Sequence, residues 1–136
     1  MKTKNWLYFG VFIDNKAKQI NLNTLKEYNI TIPKDWNVYN HHMTIAFNNQ
    51  SELAKELYEM YKPHFNTTIN IMVNGIGISD KAIALRINFL LPTSNKITHI
   101  TMAVSKDGKP RFSNEITNWM DIKPYTITGT IKEWTK

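Results

Sequence analysis

The sequence predicts a mixed domain of the α/β (α+β) class, and three observations carry that reading. Apolar runs rich in Ile, Val, Thr and aromatic residues recur along the whole chain, with the composition of half-buried strands. A few intervening stretches instead repeat their apolar residues at helical spacing. The chain has 136 residues, 42% of them hydrophobic, which suits one compact domain with a core of its own and excludes a disordered chain. Residues 1–136 are therefore expected to form a single domain.

The first strand is expected at Trp6–Ile13. Lys2 and Lys4 ahead of this apolar run imitate the opening of a signal peptide. No small-residue cleavage pattern follows, however, and the run is too short to span a membrane, so a buried strand is expected instead. Alternation gives it a core face of Leu7, Phe9, Val11 and Ile13, with Trp6, Tyr8, Gly10 and Phe12 opposite. A weak helix is expected over 22–28 and a second strand over His42–Phe47. The best helix runs over 51–62, where Leu53, Leu57 and Tyr61 recur every four residues beside Met60. Asn49 with Glu52 suits a capping box, and Pro63 stops the helix. Strands follow over Thr68–Ile78, 83–90 and 97–104, with turn signals at Ser79-Asp80-Lys81 and Lys106-Asp107-Gly108-Lys109. A short helix over 114–120 and a strand over 125–134 complete the series.

Lys and Arg number 17 against 11 Asp and Glu, a net charge of +6, and the pI is about 9.5. That balance favours an anionic partner such as nucleic acid, nucleotide or phosphate, although a basic surface that only aids solubility has the same composition. Cysteine is absent, which excludes a disulfide framework, a thiolate metal site and a cysteine nucleophile. With no stretch of transmembrane length, a soluble, cytoplasmic protein without a membrane partner is expected.

One pattern is repeated. His42-Met43-Thr44-Ile45-Ala46-Phe47 and His99-Ile100-Thr101-Met102-Ala103-Val104 both read His-x-Thr-apolar-Ala-apolar, one in each half of the chain. By the strand period of two, His42, Thr44 and Ala46 share one face and Met43, Ile45 and Phe47 the other. His99, Thr101 and Ala103 likewise oppose Ile100, Met102 and Val104. Each strand then buries an apolar face and presents imidazole and hydroxyl on the other, with alanine leaving room for a ligand. Two cross-strand histidines on a solvated sheet face would be the plain alternative.

The doubling has a chemical reason. Cleaving a phosphodiester needs a base to take a proton from the nucleophile and an acid to protonate the departing oxygen. Histidine does either near neutral pH, but one must start neutral and the other protonated. The threonine two residues on can donate to a phosphate oxygen. No metal or other cofactor is expected, since neither histidine has the carboxylate or cysteine companions of a metal site.

Further groove candidates follow from parity. Tyr8 could stack on a base, or belong to a second packed layer. Trp134 ends a face shared with Thr126, Thr128, Thr130 and Lys132, which reads as a groove wall or as a solvent face. Arg86 suits bidentate phosphate contact. Lys106, Lys109 and Arg111 cluster after the second motif, where they could steer an anion. His41 is expected to point away from His42, and His64 to lie in a loop.

With both motifs the chain resembles the 2H phosphoesterase superfamily, whose signature is a pair of H-x-[ST]-x motifs, matched by His42-Met43-Thr44-Ile45 and His99-Ile100-Thr101-Met102. The resemblance implies a bilobal fold of two mainly antiparallel sheets with pseudo-twofold symmetry around a groove. It implies metal-independent hydrolysis of nucleotide phosphodiester bonds, with His42 and His99 as the acid–base pair and Thr44 and Thr101 on the phosphate. Among subfamilies the chain is similar in style to phage anti-CBASS nucleases that cleave cyclic oligonucleotide immune signals, acting in the host cytoplasm. The alternatives are the cyclic phosphodiesterase domain of tRNA ligases and bacterial RNA 2′,3′-cyclic phosphodiesterases. The expected partner is a cyclic oligonucleotide or an RNA-type phosphodiester, with no obligate protein partner evident. A binding module that holds such a ligand uncut is the rival from another class.

Overall fold

The computed structural model describes residues 6–135, and Lys2 and Lys4 lie outside them. Seven strands and two α-helices follow one another there: β1 (Trp6–Ile13), α1 (Asn15–Glu27), β2 (Asn37–Val38), β3 (His42–Phe47), α2 (Glu52–Tyr61), β4 (Thr68–Ile78), β5 (Ala82–Asn88), β6 (His99–Val104) and β7 (Trp119–Thr135). Two 3₁₀ turns, Lys62–His64 and Pro110–Glu115, precede β4 and β7.

Every pairing is antiparallel. The strand order is β2-β6-β3-β1-β7-β4-β5, and β5 also pairs with β6, which closes six strands into a barrel. Hydrogen bonding thus runs round one closed sheet rather than through two separate ones. β2 and β3 lie along the same edge of β6, Asn37 facing Val104, Val38 facing Ala103 and Met43 facing Ile100. They are two pieces of one interrupted strand. At the interruption Asn40 takes a left-handed conformation, φ 51°, which Asn tolerates better than most residues. Phe9, Val11, Met43, Ile45, Val73, Leu85, Ile100 and Met102 are fully buried in the shared core.

Bulges correct the expected strand faces. Trp6 faces Thr135 and Tyr8 faces Trp134, so Leu7 is an extra residue against β7. Leu7 is accordingly exposed, and Trp6 takes the core position expected of it, stacking on Tyr58 at 4.6 Å. On β3, Thr44 faces Gly10 and Ala46 faces Phe9, which makes Ile45 the extra residue. A Cβ on Gly10 would come 2.1 Å from the Met43 carbonyl oxygen, so only glycine permits this close approach. In β7 the register against β4 shifts between Asp121 and Tyr125, and Pro124, which has no N–H to donate, sits in the gap.

The helices also depart from expectation. α1 begins at Asn15, not near 22, because Asp14 caps it by accepting from Ala17 N at 2.8 Å. Its buried face is Ala17, Asn21, Thr24 and Leu25, and half of that face is polar, which hides the period. The cap of α2 is Ser51, accepting from Ala54 N at 3.1 Å, while Asn49 accepts from Ser51 N. The buried face of α2 is Ala54, Leu57, Tyr58 and Tyr61; Leu53 and Met60 are exposed. No α-helix forms over 114–120: the Pro110–Glu115 turn leads straight to β7. Among the described residues no helix is long and apolar enough to cross a membrane.

Candidate active site

β3 and β6 bring the two motifs side by side. Met43, Ile45, Ile100 and Met102 point into the core, while the alternate residues His42, Thr44, His99 and Thr101 line one cleft of about 520 Å³. The antiparallel pair Met43–Ile100 runs the two motifs in opposite directions, so that in register His42 lies toward the Thr101 end of β6 and Thr44 toward the His99 end. The connection from β5 to β6 also clamps β3: Ser94 N donates to Ile45 O at 2.9 Å and Asn95 Nδ2 to Thr44 O at 3.0 Å.

The two histidines are held differently. His99 Nδ1 lies 2.8 Å from Ile97 O; a carbonyl only accepts, so Nδ1 carries hydrogen and Nε2 is the remaining ring nitrogen. Burial lowers the pKa of His99, and the bond to Ile97 opposes that shift. His42 has Nε2 3.0 Å from Thr44 Oγ1 and Nδ1 3.0 Å from His41 Nδ1. Burial, with the neighbouring His41 and His99, brings its pKa down to about 4, which leaves it neutral at physiological pH. Thr101 Oγ1 lies 2.9 Å from the buried Ser113 Oγ.

Aromatic rings wall the cleft. Tyr8 stacks on His42 (centroids 4.9 Å apart, planes 21°) and on Trp134 (6.2 Å, 11°). Burial raises the pKa of the Tyr8 hydroxyl. Trp134 is 49% exposed, leaving part of its ring open to a ligand. Thr126, Thr128, Thr130 and Lys132 do not reach the cleft, so of that β7 face only Trp134 contributes.

Several expected positions move. Arg86 faces His99 in the β5–β6 register, yet its guanidinium turns away across Gly75. There Nε donates to Asn74 Oδ1 at 2.8 Å and Nη2 pairs with Asp121. Arg86 does not line the cleft; the arginine that does is Arg111, on the 3₁₀ turn before β7. Ala46 and Ala103 are fully buried and leave no space beside the motifs, whereas Phe47, expected in the core, is exposed on the cleft wall. The Ile45 bulge exchanges those two faces.

His41 also enters the cleft, against expectation. It precedes β3, so strand alternation does not govern it, and the left-handed Asn40 before it re-aims the chain. Asn95 and Asn114 line the cleft from connections whose local sequence carries no signal for it. Among the described residues no three His, Cys, Asp or Glu side chains converge as a metal site would require.

Residues 3–134 match the family model of the fungal tRNA ligase phosphodiesterase domain. No curated protein matches the chain.

Proposed function

The chain belongs to the family of fungal tRNA ligase phosphodiesterase domains, and from that premise we propose that it is a 2H-type hydrolase that opens the 2′,3′-cyclic phosphate at the end of an RNA. The observation that carries the reading is the meeting of both His-x-Thr motifs in one cleft, on antiparallel neighbouring strands. A family named for tRNA ligases favours an RNA end over the cyclic oligonucleotide signals first expected from the sequence. On the same reading residues 1–136 act as one domain. On this proposal β3-β1-β7 and β6-β5-β4, the two halves of the strand order, correspond to the two pseudo-symmetric lobes that the 2H resemblance implies.

In this mechanism His42 is the base and His99 the acid. His42 is neutral because its pKa lies near 4. A phosphate bound at Thr44 would take over that hydroxyl's hydrogen bond and release the Nε2 lone pair. Nε2 then takes a proton from water as the water oxygen attacks phosphorus. His99 is the better acid because its Nδ1–H donates to Ile97 O, which favours the imidazolium. Its Nε2–H protonates the departing ribose oxygen as the P–O bond breaks. The sum is one water added and one ring opened, leaving a phosphomonoester. Thr44 and Thr101 donate to the phosphate oxygens, Arg111 supplies positive charge, and Tyr8 and Trp134 offer stacking planes to the terminal base.

The test is a substrate panel with the purified protein: oligoribonucleotides ending in 2′,3′-cyclic phosphate, cyclic dinucleotides, cyclic trinucleotides and 2′–5′ oligoadenylate. Ring opening of the RNA end, undiminished by EDTA, is expected. Cleavage confined to the cyclic oligonucleotides would replace this substrate by the other. A ligand recovered intact by mass spectrometry would point to the binding module.

A further inference from the structure

Each motif histidine needs something behind Nδ1 to decide which ring nitrogen faces the substrate. Behind His99 stands a carbonyl, Ile97 O at 2.8 Å. Behind His42 stands another imidazole, His41 Nδ1 at 3.0 Å. Of two neutral imidazoles meeting Nδ1 to Nδ1, one donates and the other accepts. If His42 donates, its Nε2 lone pair is the one aimed at Thr44 and the cleft, the arrangement that the base role requires. If His41 donates, Nε2 of His42 carries the hydrogen and the base is blocked.

His41 is not there by the accident of strand parity, since a built network holds it. Asn40 is bent into a left-handed conformation and its side chain is almost fully buried. It accepts from Asn21 Nδ2 at 3.0 Å and donates to Lys18 O at 2.8 Å, both on α1. The hydroxyl of Tyr125, on β7, donates to Asn21 Oδ1 at 2.8 Å. The backbone on either side is tied down as well, Asn40 N donating to Thr101 O at 2.9 Å and His41 O accepting from Ile13 N at 3.2 Å. The His41 ring stands edge-on to Phe12 at 5.2 Å and to Trp134 at 6.4 Å. Four elements, α1, β1, β6 and β7, thus fix the one backbone turn that brings His41 against His42.

We propose that His41 is a positioning residue: its Nδ1 accepts from His42 Nδ1–H and thereby sets the tautomer in which His42 Nε2 is the free base. This rests on the phosphodiesterase reading of the cleft. It gives His42 the same service from behind that the Ile97 carbonyl gives His99, although an imidazole accepts only while it is neutral. Burial and the nearby Lys18 ammonium both hold His41 toward that neutral form.

The tautomer can be read directly, by long-range ¹H–¹⁵N NMR of the histidine rings in the full chain. Two variants accompany it: His41→Asn, whose Oδ1 can stand where Nδ1 stands, and His41→Phe, which keeps a ring against Phe12 and Trp134 but offers no acceptor. In the unaltered protein His42 is expected with hydrogen on Nδ1 and a bare Nε2. The Phe variant should shift that balance toward Nε2–H and lose kcat by about 10- to 100-fold on an RNA 2′,3′-cyclic phosphate, a part of what a positioned general base contributes, with KM little changed. The Asn variant should keep both properties. Hydrogen on His42 Nε2 in the unaltered protein overturns the proposal and needs no variant to fold. So does a Phe variant with tautomer and kcat intact. Failure to cleave any phosphodiester overturns the proposed activity instead, while the ring spectrum still decides what His41 does.

Discussion

Acidification should unfold this protein through His42 in particular. In the folded state its pKa is lowered to about 4, whereas the unfolded chain restores a value near 6.5. Between those values the unfolded state binds the proton and the folded state does not, so the stability present above pH 6.5 is lost progressively as pH falls toward 4. The gap, at about 1.4 kcal/mol per pH unit, makes the His42 contribution about 3 kcal/mol between pH 7 and pH 4. That is a large share of what a domain of this size has to lose. Urea unfolding at pH 7, 6, 5 and 4 measures it, with His42→Asn as the comparison. Both proteins lose stability as their carboxylates titrate and as His41 and His99, whose pKa values are also lowered, protonate on unfolding. Only the unaltered protein carries the His42 share, so its loss should exceed the variant's by about 3 kcal/mol, concentrated between pH 6.5 and 4. Parallel curves for the two proteins would refute the reasoning, and with it the claim that His42 is held neutral by its surroundings.

Three further outcomes follow from the same geometry. Replacing His42 or His99 by alanine should each cost about 10²- to 10⁴-fold in kcat/KM on an RNA 2′,3′-cyclic phosphate, and two variants that both retain the activity would dismiss the acid–base pair. The pH profile of kcat/KM, which reports the free enzyme, should fall below about pH 4 as His42 protonates. It should fall again above a limb that lies below 6.5, because burial lowers His99; an alkaline limb above pH 7 would contradict this. Arg111→Ala should weaken turnover of the anionic substrate while Arg86→Ala leaves it unchanged and lowers stability instead, since only Arg111 lines the cleft and Arg86 is bound to Asn74 and Asp121; the reverse pattern in kcat/KM and thermal unfolding would place the phosphate elsewhere.

The sequence displays the strands well because β-branched and aromatic residues concentrate where the barrel needs them, and six of the seven fall where alternation expects them. It fails where pairing partners rather than neighbours in the chain decide. Leu7 and Ile45 are bulged against β7 and β1, a matter of register with the partner strand, and each bulge reverses the faces that follow or precede it. That is how Trp6 and Leu7, then Ala46 and Phe47, exchange places. α1 is largely hidden because its buried side uses Asn21 and Thr24, which find their partners in Asn40 and the Ile20 carbonyl. The His-x-Thr quartet is legible because Met43, Ile45, Ile100 and Met102 are a plain apolar record of which way its strands face. Arg86 and Arg111 are not separable in the sequence: a gap over Gly75, with acceptors on Asn74 and Asp121 behind it, takes the one, and the Pro110–Glu115 turn delivers the other.

His41 escapes strand parity because it stands one residue before β3 begins, just after the left-handed Asn40. Two like tripeptides on two like strands would by themselves give two like histidines, and acid–base catalysis needs them unlike. The motifs carry no such difference. It enters from behind the rings, where one Nδ1 meets a backbone carbonyl and the other a second imidazole. A carbonyl always accepts and so supports an imidazolium. A neutral imidazole accepts a hydrogen but adds no negative charge, and once protonated it opposes a second positive charge at its neighbour. Burial lowers both histidines; His42 is pushed further by its neighbours, whereas at His99 the carbonyl bond opposes the shift. That division depends on Asn40, whose left-handed turn brings His41 to the cleft, and so on the buried Asn21 and Tyr125 that hold Asn40 in place. On this argument the polar face of α1, which obscures the helix in the sequence, is what makes one copy of the repeat differ from the other.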